Sequence, residues 1–114
     1  MRHHKAKRKF NRKKGQREAL IKSLARSLVL KEGITTTVAK AKELRPFVER
    51  LVSTSKKNSL AARREVVTQI GNATPKLYEL RDRYAKRAGG YTRIVRLGKV
   101  GKRVIESARI EFLK

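Results

Sequence analysis

The chain has no cysteine, no tryptophan, two prolines, two histidines and only nine acidic residues in 114. Without cysteine there are no disulfide staples, no Cys-ligated zinc and no thiol catalysis, and the chain is compatible with a reducing compartment. Both histidines, His3 and His4, stand side by side near the N-terminus with no carboxylate nearby. Metal ligands must converge on one point, so this pair is a poor site and no metal or cofactor is expected. The nine carboxylates show no close pairing beyond Glu79 and Asp82, whose neighbours Arg81 and Arg83 suit them to surface ion pairs. There is no glycine-rich phosphate-transfer loop, and no set of groups that would line an active site. An enzyme and a small-molecule substrate are therefore not expected. No run approaches the roughly 18 apolar residues of a membrane span. The most apolar stretch, ALIKSLARSLVL at 19–30, is interrupted by Lys22 and Arg26, which also argues against a secretory signal.

What the chain has is positive charge: 32 Lys and Arg, and a formal net charge of +23. Nine of the 32 fall in the first seventeen residues, MRHHKAKRKFNRKKGQR, which contain no acid. A small body so charged repels itself, and the repulsion is relieved on a polyanion whose released counterions drive association. A membrane surface is the competing polyanion, but anchoring there needs large apolar residues, and the arm offers only Phe10. Nucleic acid is the expected partner, and no membrane. Residues 1–15 lack an apolar period and are expected to be disordered or extended in free solution, with Gly15 as hinge. The domain division expected is thus a basic arm at 1–15 and a globular body at 16–114. A basic, acid-poor start also fits an organelle transit peptide; cytosol is the default.

The body reads as α+β. Leu20, Ile21, Leu24, Leu28 and Val29 repeat at helical spacing over 16–30, with Gly33 placed to cap the end. ITTTV at 34–38 is five β-branched residues, a short strand. A second helix over 39–57 carries Ala41, Leu44, Val48, Leu51 and Val52 on one face, with a kink or break expected at Pro46. Ser59 caps a third helix through Leu60, Arg63, Val67 and Ile70, ended by Gly71. Thr74 as cap, followed by Pro75 at the first helical position, starts a fourth through Leu77, Leu80 and Tyr84. Residues 91–97 and 104–113 then read as a hairpin, in which Ala108, Ile110 and Phe112 share one face and Ser107, Arg109 and Glu111 the other. About four helices packed on a small, mostly antiparallel sheet of one short strand plus a C-terminal hairpin is the expected architecture.

Three segments carry binding chemistry. In the arm, Arg2, Lys5, Lys7, Arg8, Lys9, Arg12, Lys13, Lys14 and Arg17 are interleaved with His3, His4, Phe10 and Asn11, which add stacking and hydrogen-bonding groups. Such segments fold onto structured RNA, although the spacing alone does not separate RNA from DNA. In the second segment, Thr35, Thr36 and Thr37 lead into a helix whose first turns bear Lys40, Lys42 and Arg45. Hydroxyls and a helix N-terminus favour phosphate there; a capped, lysine-rich surface helix is the plain alternative. In the third, Gly89 and Gly90 precede Tyr91, Thr92 and Arg93. Tyr91 and Arg93 would share a face of a regular strand and pair stacking with phosphate contact, or Tyr91 is core.

Taken together, MRH…K with Asn11-Arg12 and Arg17, then ITTTVAKAKELRPFVE, then GGYTRI with a closing IEFL, resemble the bacterial large-subunit ribosomal protein L-seventeen family, in order and over essentially the whole chain. The resemblance implies an α+β domain with a basic N-terminal arm, bound to large-subunit ribosomal RNA near the solvent side of the exit-tunnel region. It also implies neighbouring ribosomal proteins as partners, a cytoplasmic ribosomal location and no enzymatic activity. Residue by residue, Arg2, His3, Lys5, Asn11, Arg12 and Arg17 match the arm, Thr35, Thr36, Lys40, Lys42 and Arg45 the central string, and Gly89, Gly90, Tyr91, Thr92 and Arg93 the late one. Lys13-Lys14-Gly15-Gln16 departs from the small polar residues often found there, and the turn at 98–103 is basic where relatives often place acid. The alternative function is an architectural DNA-binding protein, which would want an apolar wedge on an exposed turn. The turns here offer glycine and lysine, apart from Val100.

Overall fold

The computed structural model describes residues 13–99 and 105–114. Four helices, α1 (Lys14–Lys31), α2 (Val38–Ser55), α3 (Leu60–Ile70) and α4 (Thr74–Arg83), accompany a sheet of β1 (Gly33–Thr37), β2 (Thr92–Lys99) and β3 (Glu106–Phe112); α1 and α2 pack against the strands, and α3 and α4 pack on those two helices. The sheet is antiparallel throughout in the order β1-β3-β2, so the C-terminal strand is its centre. The α+β class, the short strand and the C-terminal hairpin are those expected from the sequence.

The core forms around α2, which touches each of the other helices and all three strands. Ala41, Leu44, Val48, Leu51 and Val52 are the buried line of that helix, as their spacing predicts. They meet Leu28 and Val29 from α1, Leu77, Leu80 and Tyr84 from the α4 region, and Ala108, Ile110 and Phe112 from β3. Alternation along β3 puts those last three toward the helices, and burial of side chains the size of Ile110 and Phe112 contributes roughly 1.5–3 kcal/mol each.

Several boundaries differ from the sequence reading. α1 begins at Lys14, so Gly15 lies inside the first turn and is not a hinge. The backbone N–H of Lys13 donates to Gln16 Oε1 at 3.3 Å, which satisfies one end group of the helix. The expected arm ahead of Lys13 lies outside the described residues. At the other end of α1 the left-handed residue is Glu32 (φ 62°), and Gly33 is already in β1. Val38 belongs to α2, whose true cap is Thr37: its Oγ1 accepts from Lys40 N at 3.2 Å. Pro46 neither ends nor splits α2. It is exposed, so the carbonyl it leaves without a helical partner is open to water, and buried Leu44 and Val48 anchor the turns on either side.

Ser59 caps α3 as expected, accepting from Ala62 N at 3.2 Å. The buried face of α3 is Ala62, Val66 and Ile70, however, and the expected Leu60 and Val67 are 62% and 53% exposed. Both sets have helical spacing; contact with α1 and α2 selects the one with the small alanine, which lets helices approach. Thr74 does not cap α4. Its hydroxyl donates instead to Gly71 O at 2.6 Å across the 3-10 turn Gly71–Ala73.

Candidate nucleic-acid interface

Of the arm residues, Arg2, His3, His4, Lys5, Lys7, Arg8, Lys9, Asn11 and Arg12 lie outside the described residues. Lys13, Lys14 and Arg17 open α1, and none makes an ion pair with a described residue. The described part of the molecule therefore starts with three uncompensated cations on one helix end.

The second segment divides. Strand alternation sends Thr35 to the open face of the sheet and Thr36 to the helix-covered face, so the two hydroxyls do not meet one phosphate. Thr35 is exposed and Thr36 is half-buried. Lys42 and Arg45, one turn apart on the outer side of α2, are exposed and free of ion pairs with described residues; Lys40 is half-buried. Farther along the same side, Glu49 reaches the third segment. Its two carboxylate oxygens accept from Gly90 N at 3.1 Å and Tyr91 N at 2.7 Å. Gly90 turns these amides toward α2 with φ 67°, a conformation that glycine adopts freely.

That contact corrects the reading of the third segment. Of the backbone amides this segment offers to a phosphate, those of Gly90 and Tyr91 are taken by Glu49. Tyr91 is only 1% exposed and is core: its ring packs 5.3 Å from Tyr84, and its hydroxyl accepts from Lys56 Nζ at 2.8 Å and donates to Arg87 O at 3.2 Å. Thr92 is buried as well. Tyr91 precedes β2 and does not share a strand face with Arg93. The side chains of Tyr91 and Thr92 face the helices, so in this conformation neither presents a ring or a hydroxyl at the surface. Gly89, Gly90 and Arg93 stay at the surface.

On the open face of the sheet the segments do come together. Thr35, Arg109 and Val95 form one cross-strand row, and Gly33, Glu111 and Arg93 the next. Arg93 Nε stands 3.6 Å and Arg109 Nε 3.7 Å from the same Glu111 oxygen. Arg109, Glu49 and Gly33 were not singled out by sequence as functional positions. Arg109 was placed on the right face by alternation, but nothing in its spacing says which residues lie beside it across the sheet.

At the α1–β1 turn two cations are tightly held. Glu32 bridges Lys76 Nζ at 3.0 Å and Arg83 Nη1 at 2.7 Å, which holds the α1–β1 turn to α4. Hydrogen bonds from Arg83 and then Lys76 hold the Glu32 carboxyl down to about 2 from an ordinary 4.5. Among the described residues no group of acids and histidines could hold a metal ion, and no helix is long and apolar enough to cross a membrane. Asp82 pairs with Arg81 at 3.0 Å, and Glu79 with Lys76 at 3.6 Å, so these two carboxylates do make surface ion pairs.

The family model described as Ribosomal protein L17 matches residues 20–113. The chain is 44% identical to the large ribosomal subunit protein bL17 of Erythrobacter litoralis, over 100% of this chain and 81% of that protein. It is 51% identical to bL17 of Hydrogenobaculum sp. over 85% of each. To bL17 of Allorhizobium ampelinum it is 48% identical over 86% of this chain and 72% of that protein. With the family matched from α1 to the end of β3, and relatives 44–51% identical over most of the chain, the chain belongs to the L17 family of bacterial large-subunit ribosomal proteins.

Proposed function

We propose that the protein is a structural, non-catalytic constituent of the large ribosomal subunit in the cytoplasm, where it binds and ties together segments of large-subunit ribosomal RNA. Neighbouring ribosomal proteins are its other partners. The observation that carries this reading is a net charge of +23 on a member of a ribosomal family, with nine cations and no acid in the first seventeen residues. Charge neutralisation by the basic arm supplies most of the affinity, and the exposed cations on α1, α2 and the sheet extend the contact over the body. The body is the domain and the segment ahead of it the penetrating arm.

Sedimentation of the tagged protein through a high-salt gradient tests the assignment. Co-migration with the large subunit is expected, at salt that strips loosely bound basic proteins; recovery with DNA would favour an architectural role. Removal of residues 1–14 should leave a folded body with sharply weaker RNA affinity. If about eight arm charges each neutralise a phosphate, log K against log salt should have a slope of roughly −6 to −7 for the full chain. A slope near about −2 would take the arm off the RNA backbone.

A further inference from the structure

The open face of the sheet holds two guanidinium groups whose donors are almost wholly unused by the described residues. Arg93 and Arg109 flank one carboxylate, Glu111, at 3.6 and 3.7 Å. These separations are beyond hydrogen-bond length, and neither side chain has a hydrogen bond to another described residue. Each guanidinium presents five N–H groups in a planar fork. The side chains of Arg93 and Arg109 are 61% and 43% exposed, whereas Glu111 between them is only 23% exposed. Glu111 thus offsets the repulsion between the two cations without occupying their outward donors.

The backbone makes room for this arrangement. Gly33 sits in β1 opposite Glu111, and a Cβ built on it would fall 2.8 Å from Arg109 Cζ and 3.3 Å from Glu111 Cβ. Its φ is not positive, so turn geometry does not require glycine here. The bare position is used by the Arg109 side chain, which lies across β1 in the space a side chain at 33 would take. Exposed Thr35 adds a hydroxyl in the row beside it.

We propose that Arg93 and Arg109 form a phosphate clamp for the ribosomal RNA backbone on the open face of the sheet, with Gly33 as the residue that lets Arg109 lie flat. The inference rests on the RNA-binding reading above and adds a surface on the folded body to it. Two forks side by side match phosphate oxygens bidentately, a geometry lysine does not reproduce. The absence of any aromatic ring from these cross-strand rows makes this a backbone site and not a base-stacking one.

The test measures binding of the full chain to transcribed large-subunit ribosomal RNA at several salt concentrations. Arg93→Gln and Arg109→Gln should each weaken binding about five- to tenfold and lower the salt slope by about one. Arg109→Lys should restore the charge but little of the affinity. Gly33→Ala meets chiefly the far end of a flexible side chain, so it should keep the thermal midpoint and still lose RNA affinity as Arg109→Gln does. Arg64→Gln, an exposed cation on α3, is the control and should leave affinity nearly unchanged.

Wild-type affinity in Arg109→Gln, or an equal loss in Arg64→Gln, would overturn the clamp while leaving the arm as the RNA-binding element. Unchanged RNA binding with weakened incorporation into subunits would overturn it in favour of an acidic protein neighbour. If the unaltered chain shows no preference for ribosomal RNA over duplex DNA, the wild-type curve alone reports that, and both readings fall.

Discussion

Glu32 and Glu111 each stand between two cations, yet one is a clasp and the other leaves its partners free. At Glu32 the contacts to Arg83 and Lys76 are 2.7 and 3.0 Å, and the three side chains join α1 to α4. At Glu111 the two arginines come no closer than 3.6 Å and share one oxygen on a single sheet face. The difference lies in the backbone beneath. Glu32 is fixed in a left-handed turn whose carbonyl also accepts from Phe112 N at 2.9 Å, so its carboxylate is aimed between elements. Glu111 and its partners project from neighbouring strands into water, where long side chains gain little by closing the last half-ångström. A highly cationic protein needs both arrangements: paired cations that fasten its parts, and loosely held ones that remain available to a ligand.

The sharpest way to break this contrast is Glu32→Ala. It removes both ion pairs and keeps a side chain in the left-handed region, and should cost about 2 kcal/mol by thermal denaturation. The three side chains retain about a third of their surface in water, so the loss should fall short of that for a fully buried pair. The same group sets a pH dependence. Its carboxyl binds a proton less readily in the folded protein, about 2 against 4.5, so its stabilisation is complete above 4.5 and drains away as pH falls toward 2. Glu32→Gln should flatten that part of the acid-stability curve. Next in size is Glu49→Ala, which leaves the amides of Gly90 and Tyr91 unpaired. A loss of about 1–2 kcal/mol is expected, with faster hydrogen exchange at those two positions. Smallest should be Glu111→Gln, within about 0.5 kcal/mol of wild type. If it costs as much as Glu32→Ala, the sheet-face carboxylate is a clasp after all.

Much of the fold was legible in local pattern. The stripes of α1 and α2, the Ser59 cap and the alternation of β3 each depend on neighbours within one element. What was not legible depends on which surface a neighbouring element presents. On α3 the larger apolar residues, Leu60 and Val67, pointed to the wrong face, because contact with α1 and α2 is made through Ala62, Val66 and Ile70. Glycine at 33 looked like a helix cap, but the left-handed position is filled by Glu32, whose side chain has partners on α4. The candidate interface suffered most. GGYTR is a contiguous string in sequence, but in space it contributes two buried side chains, two amides bonded to Glu49 and one exposed, loosely paired arginine. Its cationic partner, Arg109, comes from another strand, and cross-strand register is not written in either strand alone.

The position of β3 has a bearing on how the chain is born. Gly33 pairs with Glu111 and Thr92 with Phe112, while β1 and β2 are not paired with each other. During synthesis the helices can collapse around α2 as they emerge, but β1 must wait, with its edge unsatisfied, until a strand made after every helix arrives. A nascent chain stalled before Glu106 would hold two strands and no sheet, and the open face carrying Arg93 and Arg109 would not yet exist. Maturation of that surface is tied to completion of the polypeptide, so a premature stop that removes only the closing strand eliminates the hub of the sheet and not its rim.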